Sequence, residues 1–158
     1  MMPEDIGIIQ EFYEKCLDFM LLVDGRAVSP ESVKEDFNSV PPRKPLDDKY
    51  VFGIVNSRRG IVGLLDTLCW YPDQTTWWID TLLFVPESRS QGLGEKVVEG
   101  FAQYARASGA LAIILGVVDE NNNAIKFWGR MSFELVRETE PRQFGNKLHV
   151  LKIMRRFL

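Results

Sequence analysis

Apolar residues in the first part of the chain recur at intervals of three and four positions. This spacing is typical of an amphipathic helix and runs from about residue 4 to residue 23. Its apolar face consists of Ile6, Ile9, Phe12, Tyr13, Cys16, Leu17 and Met20. Ser29 followed by Pro30 predicts the N-cap and first turn of a second helix, which ends near residue 38. The Pro-rich segment 38–48 is too short to separate two domains.

Three β-strands are predicted next, because runs of β-branched and aromatic residues lie between turn residues. They cover residues 49–56, 60–71 and 76–85, joined by tight turns at 57–60 and 72–75. From Leu93, apolar residues at helical spacing predict an amphipathic helix that Ser108 and Gly109 close. The run 110–118 is apolar on both faces, which indicates a central and parallel strand.

The last third of the chain predicts one more helix and a hairpin. Asn residues at 121–123 are candidate caps for a helix with apolar residues at 124, 127, 128 and 131. Segments 133–139 and 147–158 then alternate around a turn at 141–146. The order of elements predicts an α/β (α+β) fold in one domain, residues 1–158: a single mixed, mostly antiparallel sheet with helices on both faces.

Composition narrows the possible functions. The chain has 158 residues and a net charge of −3, so we expect no cationic surface for nucleic acid. Two cysteines and one histidine favour neither a disulfide framework nor a metal site. The N-terminus lacks the pattern of a signal peptide, and no apolar stretch is long enough to span a membrane. We therefore expect a cytoplasmic protein.

The segment SRSQGLGEKVV, residues 88–98, places Gly92 and Gly94 between a strand and a helix. Such glycines let a phosphate approach the free N–H groups of the helix. A Walker A loop is excluded because no G-x-x-x-x-G-K-[ST] pattern occurs. A dinucleotide fingerprint is excluded because Val97 stands where the third glycine is required. A plain glycine turn remains the alternative to a diphosphate site.

Two motifs together resemble the GCN5-related N-acetyltransferase (GNAT) superfamily. The first is a strand, then [QR]-x-x-G-x-[GA] with Arg89, Gly92 and Gly94, then a helix. The second is a strand followed by N-x-x-A-x-x-[FL]-Y-x-x-x-G-F, which Asn121, Ala124, Phe127 and Phe133 match. The resemblance covers residues 76–133, and the elements before and after it also fit the order of the family.

The resemblance implies an acyl-CoA N-acyltransferase fold with acetyl-CoA as cosubstrate and no metal. The strands 76–85 and 110–118 would splay apart, and the pantetheine arm would lie between them. Helices within residues 4–38 would cover the acceptor, the core 76–133 would bind the cofactor, and a hairpin at 133–157 would complete the sheet. The implied cofactor-binding residues are Leu83, Phe84, Val85, Arg89, Ser90, Gln91, Gly92, Leu93, Gly94, Glu95, Lys96, Asn121, Ala124, Phe127 and Trp128. Asn121 has a plain helix cap as its alternative role.

Acetyl transfer to an amine requires a base, a donor to the thioester oxygen and a leaving thiolate. Asp80 interrupts an apolar strand beside the expected splay and is the first candidate base, and Asp66 is the second. The family's oxyanion donor is a backbone N–H, here near Leu83 or Phe84. Trp128 stands where the family has a tyrosine that protonates the thiolate. Indole cannot supply that proton, although a thiolate leaves readily without it, and Tyr71 is a possible substitute.

The sequence therefore predicts an N-acetyltransferase that acts on a primary amine by direct attack. Asp18, Asp24, Asp66 and Asp80 favour a small cationic amine as acceptor. Alternatives are a protein N-terminus or lysine as acceptor, and an inactive acyl-CoA-binding sensor, which Trp128 favours. A homodimer is possible because dimers are common in the family.

Overall fold

The computed structural model describes residues 1–57 and 60–158, which form one six-stranded sheet, a two-stranded sheet and flanking helices. The helices are α1 (Ile6–Lys15), α2 (Leu17–Val23), α3 (Pro30–Asn38), α4 (Leu93–Ala107) and α5 (Asn122–Arg130). The strands are β1 (Lys49–Val55), β2 (Ile61–Leu68), β3 (Thr76–Phe84), β4 (Ala112–Val118), β5 (Glu134–Glu138), β6 (Arg142–Phe144), β7 (Lys147–His149) and β8 (Leu151–Phe157). Within the described residues, no helix is long and apolar enough to cross a membrane.

The sheet has the order β1-β2-β3-β4-β8-β5, with β3 and β4 running parallel at its centre. These two strands are paired over a short stretch, from Thr76 opposite Ala112 to Ile79 opposite Leu115. β3 continues to Phe84 and β4 to Val118, but the two strands are not paired with each other beyond Ile79 and Leu115. A gap therefore opens between them. The predicted mixed sheet with a central parallel pair is confirmed.

Helices pack on both faces of the sheet, as their apolar stripes require. On one face, α4 and α5 enclose a core that includes Trp77, Ile113 and Phe101. On the other face, α1 and α3 cover a second core around Phe12, Leu64 and Leu83. The open end of the gap therefore lies between two well-packed layers.

Two local predictions were wrong. The first helix is interrupted at Cys16, whose backbone angles of −103° and 31° leave the helical range. Its fully buried thiol donates to the carbonyl of Phe84 (3.7 Å), a tertiary contact that periodicity does not reveal. The turn predicted at 141–146 contains β6, which pairs with β7. Between these two strands, the N–H of Asn146 donates to the carbonyl of Asp24, the residue that follows α2 (2.7 Å). The predicted turn at 57–60 includes residues 58 and 59, which lie outside the described residues.

Candidate active site

The glycine loop leaves β3 and enters α4 through left-handed backbone positions. Ser90 has a φ of 58° and Gly92 a φ of 74°. The N–H of Lys96 donates to the carbonyl of Gly92 (3.3 Å), which begins the helical hydrogen-bond ladder. The N–H groups of Leu93, Gly94 and Glu95 precede that ladder and have no acceptor within the helix, and the positive end of its dipole lies beside them. This arrangement fits the diphosphate of coenzyme A.

The two glycines have different surroundings. A β-carbon on Gly92 would meet nothing within 4 Å, so the approach to the backbone is open there. A β-carbon on Gly94 would lie 3.1 Å from the ring of Phe127 and 3.7 Å from that of Phe84. Gly94 therefore lets the start of α4 pack closely on α5 and on the end of β3, which brings the two sequence motifs together.

Asn121 acts as a helix cap in this structure. Its side-chain oxygen accepts a hydrogen bond from the N–H of Ala124 (3.1 Å), directly before α5. This is the alternative role that the sequence left open. A contact between Asn121 and a pantetheine arm stays a prediction.

Two polar side chains of the loop form hydrogen bonds with other residues of the protein. Arg89 donates from Nε to the carbonyl of Phe84 (2.7 Å) and from both terminal nitrogens to Asp18. Gln91 donates to the carbonyl of Glu87 (2.6 Å). The loop is thus held in shape by its own polar side chains, while Ser90, Glu95 and Lys96 project towards solvent.

The main-chain groups that face the gap can be read from the pairing of β3. The N–H of Val85 donates to the carbonyl of Val62 (3.0 Å), so it is occupied within the sheet. Because alternate residues of a strand turn their amides to opposite sides, Leu83 also faces β2. Leu82 and Phe84 turn their main-chain groups away from β2, and the carbonyl of Phe84 already accepts from Arg89 Nε (2.7 Å) and from the Cys16 thiol (3.7 Å). The main-chain groups of Leu82 and the N–H of Phe84 are therefore the ones available towards the gap. Leu83 and Val85 thus turn their N–H groups to β2, and their buried side chains belong to the core. A contact of either residue with the cofactor stays a prediction.

Asp80 lies where β3 and β4 part. Asp66 is opposite Thr81 and Thr67 is opposite Ile79, so Asp80 is the extra residue of a β-bulge. Its side chain is exposed and accepts a hydrogen bond from the indole N–H of Trp78 (3.3 Å). The bulge thus leaves an exposed carboxylate on the residue that follows the last position paired between β3 and β4.

Asp66 is a buried neighbour of this position, with only 8% of its surface exposed. One carboxylate oxygen lies 3.2 Å from Nζ of Lys49, and the other, Oδ1, is buried without a hydrogen-bond partner among the described residues. Burial raises the pKa of Asp66 to about 7, and the charge of Asp80 acts in the same direction. Lys49 partly offsets the shift.

Further polar groups from the covering helices face the same region. Burial raises the pKa of Tyr13 on α1, and the carboxylates of Asp66, Asp36 and Asp80 add to that effect. The pKa of Asp36 on α3 is raised by burial as well, although Lys49 opposes this. The ammonium of Lys49 also donates to the carbonyl of Asp36 (2.5 Å) and so ties α3 to β1. Carboxylates outnumber cations in this group of residues.

Trp128 is part of the core. It is 6% exposed, and its ring lies 5.0 Å from the rings of Phe127 and Phe133. It therefore packs α5 on the sheet and has no acidic group to offer the gap. Ala124 lies half-buried on the same helix and packs against this core.

Tyr13, Asp36 and Lys49 lie near the carboxylates of Asp66 and Asp80, and Asp18 is paired with Arg89. The sequence assigned none of these four residues a catalytic or cofactor-binding role. Tyr13 was assigned to the apolar face of a helix, and Asp18 only to the general negative charge of the acceptor side. Asp36 and Lys49 belong to no sequence motif, because the residues they contact come from other parts of the chain. They could have been found only through the tertiary packing of α1–α3 on the sheet.

Comparison with known proteins agrees with this geometry. The model of the Acetyltransferase (GNAT) family matches residues 22–133. A search of curated proteins gave no match. Among solved structures, an acetyltransferase from Thermus thermophilus has a TM-score of 0.81 and 22% identity, covering 100% of this chain and 94% of that one.

Two further structures share the fold at lower identity. PaiA N-acetyltransferase from Thermoplasma acidophilum, in complex with coenzyme A, has a TM-score of 0.69 and 15% identity, covering 100% of this chain and 96% of that one. A spermidine N-acetyltransferase SpeG chimera from Vibrio cholerae and hSSAT has a TM-score of 0.73 and 14% identity, covering 99% of this chain and 92% of that one. The match to most of the chain, together with the strand gap and the glycine loop, shows that this protein belongs to the GNAT acetyltransferase family of acetyl-CoA-dependent acyltransferases.

Proposed function

We propose that this protein transfers the acetyl group of acetyl-CoA to the primary amine of a small cationic acceptor by direct attack. The observation that carries the proposal is the position of Asp80, an exposed carboxylate on a bulge where β3 and β4 separate. A base at that place can reach an amine that approaches a thioester held in the gap.

The cofactor would be held by main-chain groups. The free N–H groups of the first turn of α4 would bind the diphosphate, with Gly92 giving it access. The main-chain groups of Leu82 and the N–H of Phe84 would pair with the pantetheine arm as an added strand would, while the carbonyl of Phe84 stays with Arg89. A backbone N–H of the same stretch would donate to the thioester oxygen and stabilise the charge that develops on it.

The acceptor must lose a proton before it attacks. An alkyl amine has a pKa of about 10.4, so its neutral form costs roughly 4–5 kcal/mol at pH 7. Asp80 would accept this proton directly or through a water molecule, and Asp66 is the second candidate. Asp66 is enclosed in this structure, whereas Asp80 is exposed at the gap, which favours Asp80 as the group that contacts the amine.

The charges around the gap favour a cationic acceptor. Asp36, Asp66 and Asp80 influence one another electrostatically, and Lys49 compensates only part of their charge. Trp78 lies beside Asp80, with the ring of Tyr71 packed edge-on at 6.0 Å, so an aromatic wall borders the carboxylate. Such a wall can contact the methylene groups or the ammonium of an amine. The spermidine acetyltransferase fold among the structural neighbours is consistent with this class of acceptor.

The proposal is tested by mixing the protein with acetyl-CoA and a panel of amines while free thiol is measured. The panel should pair cationic with neutral acceptors of similar length, for example a diamine and the corresponding amino alcohol. We expect thiol release that depends on the acceptor and is faster with the dication. Equal rates on both members of each pair would contradict the cationic acceptor. Coenzyme A binding without turnover on any amine would support the sensor alternative.

Replacing Asp80 tests its role as the base. We expect Asp80→Asn to lower kcat by about 10²–10⁴-fold, the usual contribution of a general base, with the Kd for coenzyme A unchanged. Asp47→Asn, at an exposed carboxylate of the short turn Leu46–Asp48, serves as the control. Unchanged turnover in Asp80→Asn would exclude Asp80 as the base and leave Asp66 as the candidate.

A further inference from the structure

Arg89, the first residue of the glycine-loop motif, is engaged by two separate parts of the protein. Its Nε donates to the carbonyl of Phe84 at the end of β3 (2.7 Å). Its two terminal nitrogens contact the two carboxylate oxygens of Asp18, one of them at 3.0 Å. This side-by-side geometry is the strong, directional form of an arginine–carboxylate pair. In agreement, the pKa of Asp18 lies below its usual value because Arg89 donates to it.

The pair joins the cofactor side of the molecule to the acceptor side. Asp18 lies in the first turn of α2, directly after the break at Cys16. The thiol of Cys16 donates to the same Phe84 carbonyl that Arg89 contacts (3.7 Å). The start of α2 is therefore fixed to the end of β3 through one carbonyl and one ion pair, just before the chain enters the loop.

The loop that follows needs such support. Ser90 and Gly92 both have left-handed backbone conformations, and a non-glycine residue such as Ser90 adopts this conformation at an energetic cost. The donors that Arg89 directs at Phe84 and Asp18 fix the chain immediately before Ser90. Since this loop presents its backbone N–H groups to the ligand, its conformation decides how well they are aligned.

We propose that Asp18 is a positioning residue for coenzyme A binding: it acts through Arg89, which holds the glycine loop against the end of β3 and does not itself bind the diphosphate. The inference rests on the proposed function, because it takes the glycine loop as the place where coenzyme A binds. It adds a residue of the acceptor-side helix α2 to the determinants of cofactor affinity.

The alternative, in which Arg89 itself binds the diphosphate, predicts the opposite change in coenzyme A affinity when Asp18 is removed. If Arg89 left Asp18 to contact the diphosphate, Asp18 would compete with the ligand, and its removal would tighten coenzyme A binding. If Arg89 positions the loop, removal of Asp18 weakens binding. The sign of the change therefore separates the two roles.

The experiment measures the Kd of coenzyme A by calorimetry for wild type, Asp18→Ala, Arg89→Ala and the double variant. We expect Asp18→Ala to raise the Kd by about 3–10-fold, the range of a well-oriented but partly exposed pair. In the Arg89→Ala background the same change should alter the Kd by less than about twofold, because Asp18 acts through Arg89. Asp18→Glu, which retains both oxygens, should restore most of the affinity. In turnover, the KM for acetyl-CoA should rise in Asp18→Ala while kcat stays near its wild-type value.

Glu138→Ala is the matched control. Glu138 pairs with Lys152 between β5 and β8, with side chains 52% and 27% exposed, against 56% and 33% for Asp18 and Arg89. The Glu138→Ala variant should leave the Kd of coenzyme A unchanged. Thermal unfolding of each variant shows whether that variant is folded. An unchanged or lower Kd in folded Asp18→Ala overturns the inference alone. Absence of coenzyme A binding by the wild-type protein overturns the proposed function and, with it, this inference.

Discussion

At the residue scale, Asp66 shows how its surroundings change the chemistry of one carboxyl group. The free side chain has a pKa of about 3.9. In the folded protein burial raises the pKa to about 7, and Asp80 and Asp36 contribute in the same direction. Lys49 from β1 and the phenol of Tyr13 from α1 also face this group. Between about pH 4 and pH 7 the folded protein therefore keeps a proton that the unfolded chain has released.

This difference predicts a pH dependence of stability. Because the unfolded chain binds fewer protons in that range, the contribution of Asp66 to the free energy of unfolding falls as pH rises from about 4 to about 7. The decrease amounts to a few kcal/mol and levels off above pH 7. Urea unfolding of wild type and Asp66→Asn across this range measures it, and the difference between the two should vary with pH. Parallel pH profiles would contradict the assignment, and Asp47→Asn is the control at an exposed carboxylate.

The sequence could single out Asp80 as a candidate base because an acidic residue interrupts an apolar strand there. It could not identify the bulge at Asp80, because the bulge depends on the register between β2 and β3. Nor could it assign Arg89 to Asp18, which are 71 positions apart in the chain. The sequence showed which residue types are present, but it did not show which residues contact one another in the folded protein.

At the element scale, the glycine loop and the first turn of α4 act as a unit. Their conformation depends on Gly92, whose φ of 74° favours glycine and whose surroundings are open. Any side chain at that position would both strain the loop and occupy the approach to the backbone N–H groups.

Gly92→Val should therefore raise the Kd for coenzyme A at least about tenfold, since a β-branched residue is strongly disfavoured at a left-handed position. Calorimetric titration measures the change. Gly100→Val is the control, because Gly100 lies within α4 and also has nothing within 4 Å of its β-carbon position. Equal affinities of Gly92→Val and wild type would show that the diphosphate does not approach the loop at this residue.

The elements themselves were predicted well where periodicity is strong, as in α4 and β4. The two wrong predictions, the continuous first helix and the turn at 141–146, lie in segments that tertiary contacts shape. Cys16 breaks the helix where its thiol reaches β3, and β6 forms where β7 and the end of α2 can support it. Local patterns contain no information on these contacts.

At the scale of the whole molecule, the gap is a point where the central sheet is not closed by its own hydrogen bonds. β3 and β4 share four paired positions and then diverge between the two helical layers. A ligand that pairs with β3 and contacts α4 would link these parts in the folded state alone. Binding should therefore stabilise the fold as a whole.

Coenzyme A at about 100 times its Kd should stabilise the protein by about 2.7 kcal/mol. For a chain of this size this corresponds to a rise in Tm of roughly 5–10 °C. Thermal unfolding followed by circular dichroism measures the shift, and ATP at the same concentration is the control, because it has phosphates and adenine but no pantetheine arm. An equal shift with ATP, or none with coenzyme A, would contradict binding along the gap.

The sequence by itself determined most of the order of elements, the mixed sheet with helices on both faces, and the two motifs that indicate the family, but not the break between α1 and α2 or the pair β6 and β7. These features follow from periodicity and from residue types at short spacing. Both are local properties that can be recognised within a short stretch of the chain. Tertiary structure alone decided that β3 and β4 part after Ile79 and Leu115, that Asp66 is buried beside Lys49, and that Arg89 is paired with Asp18. Each depends on residues that are distant in sequence and meet only when the strands take their register and the helices pack on them.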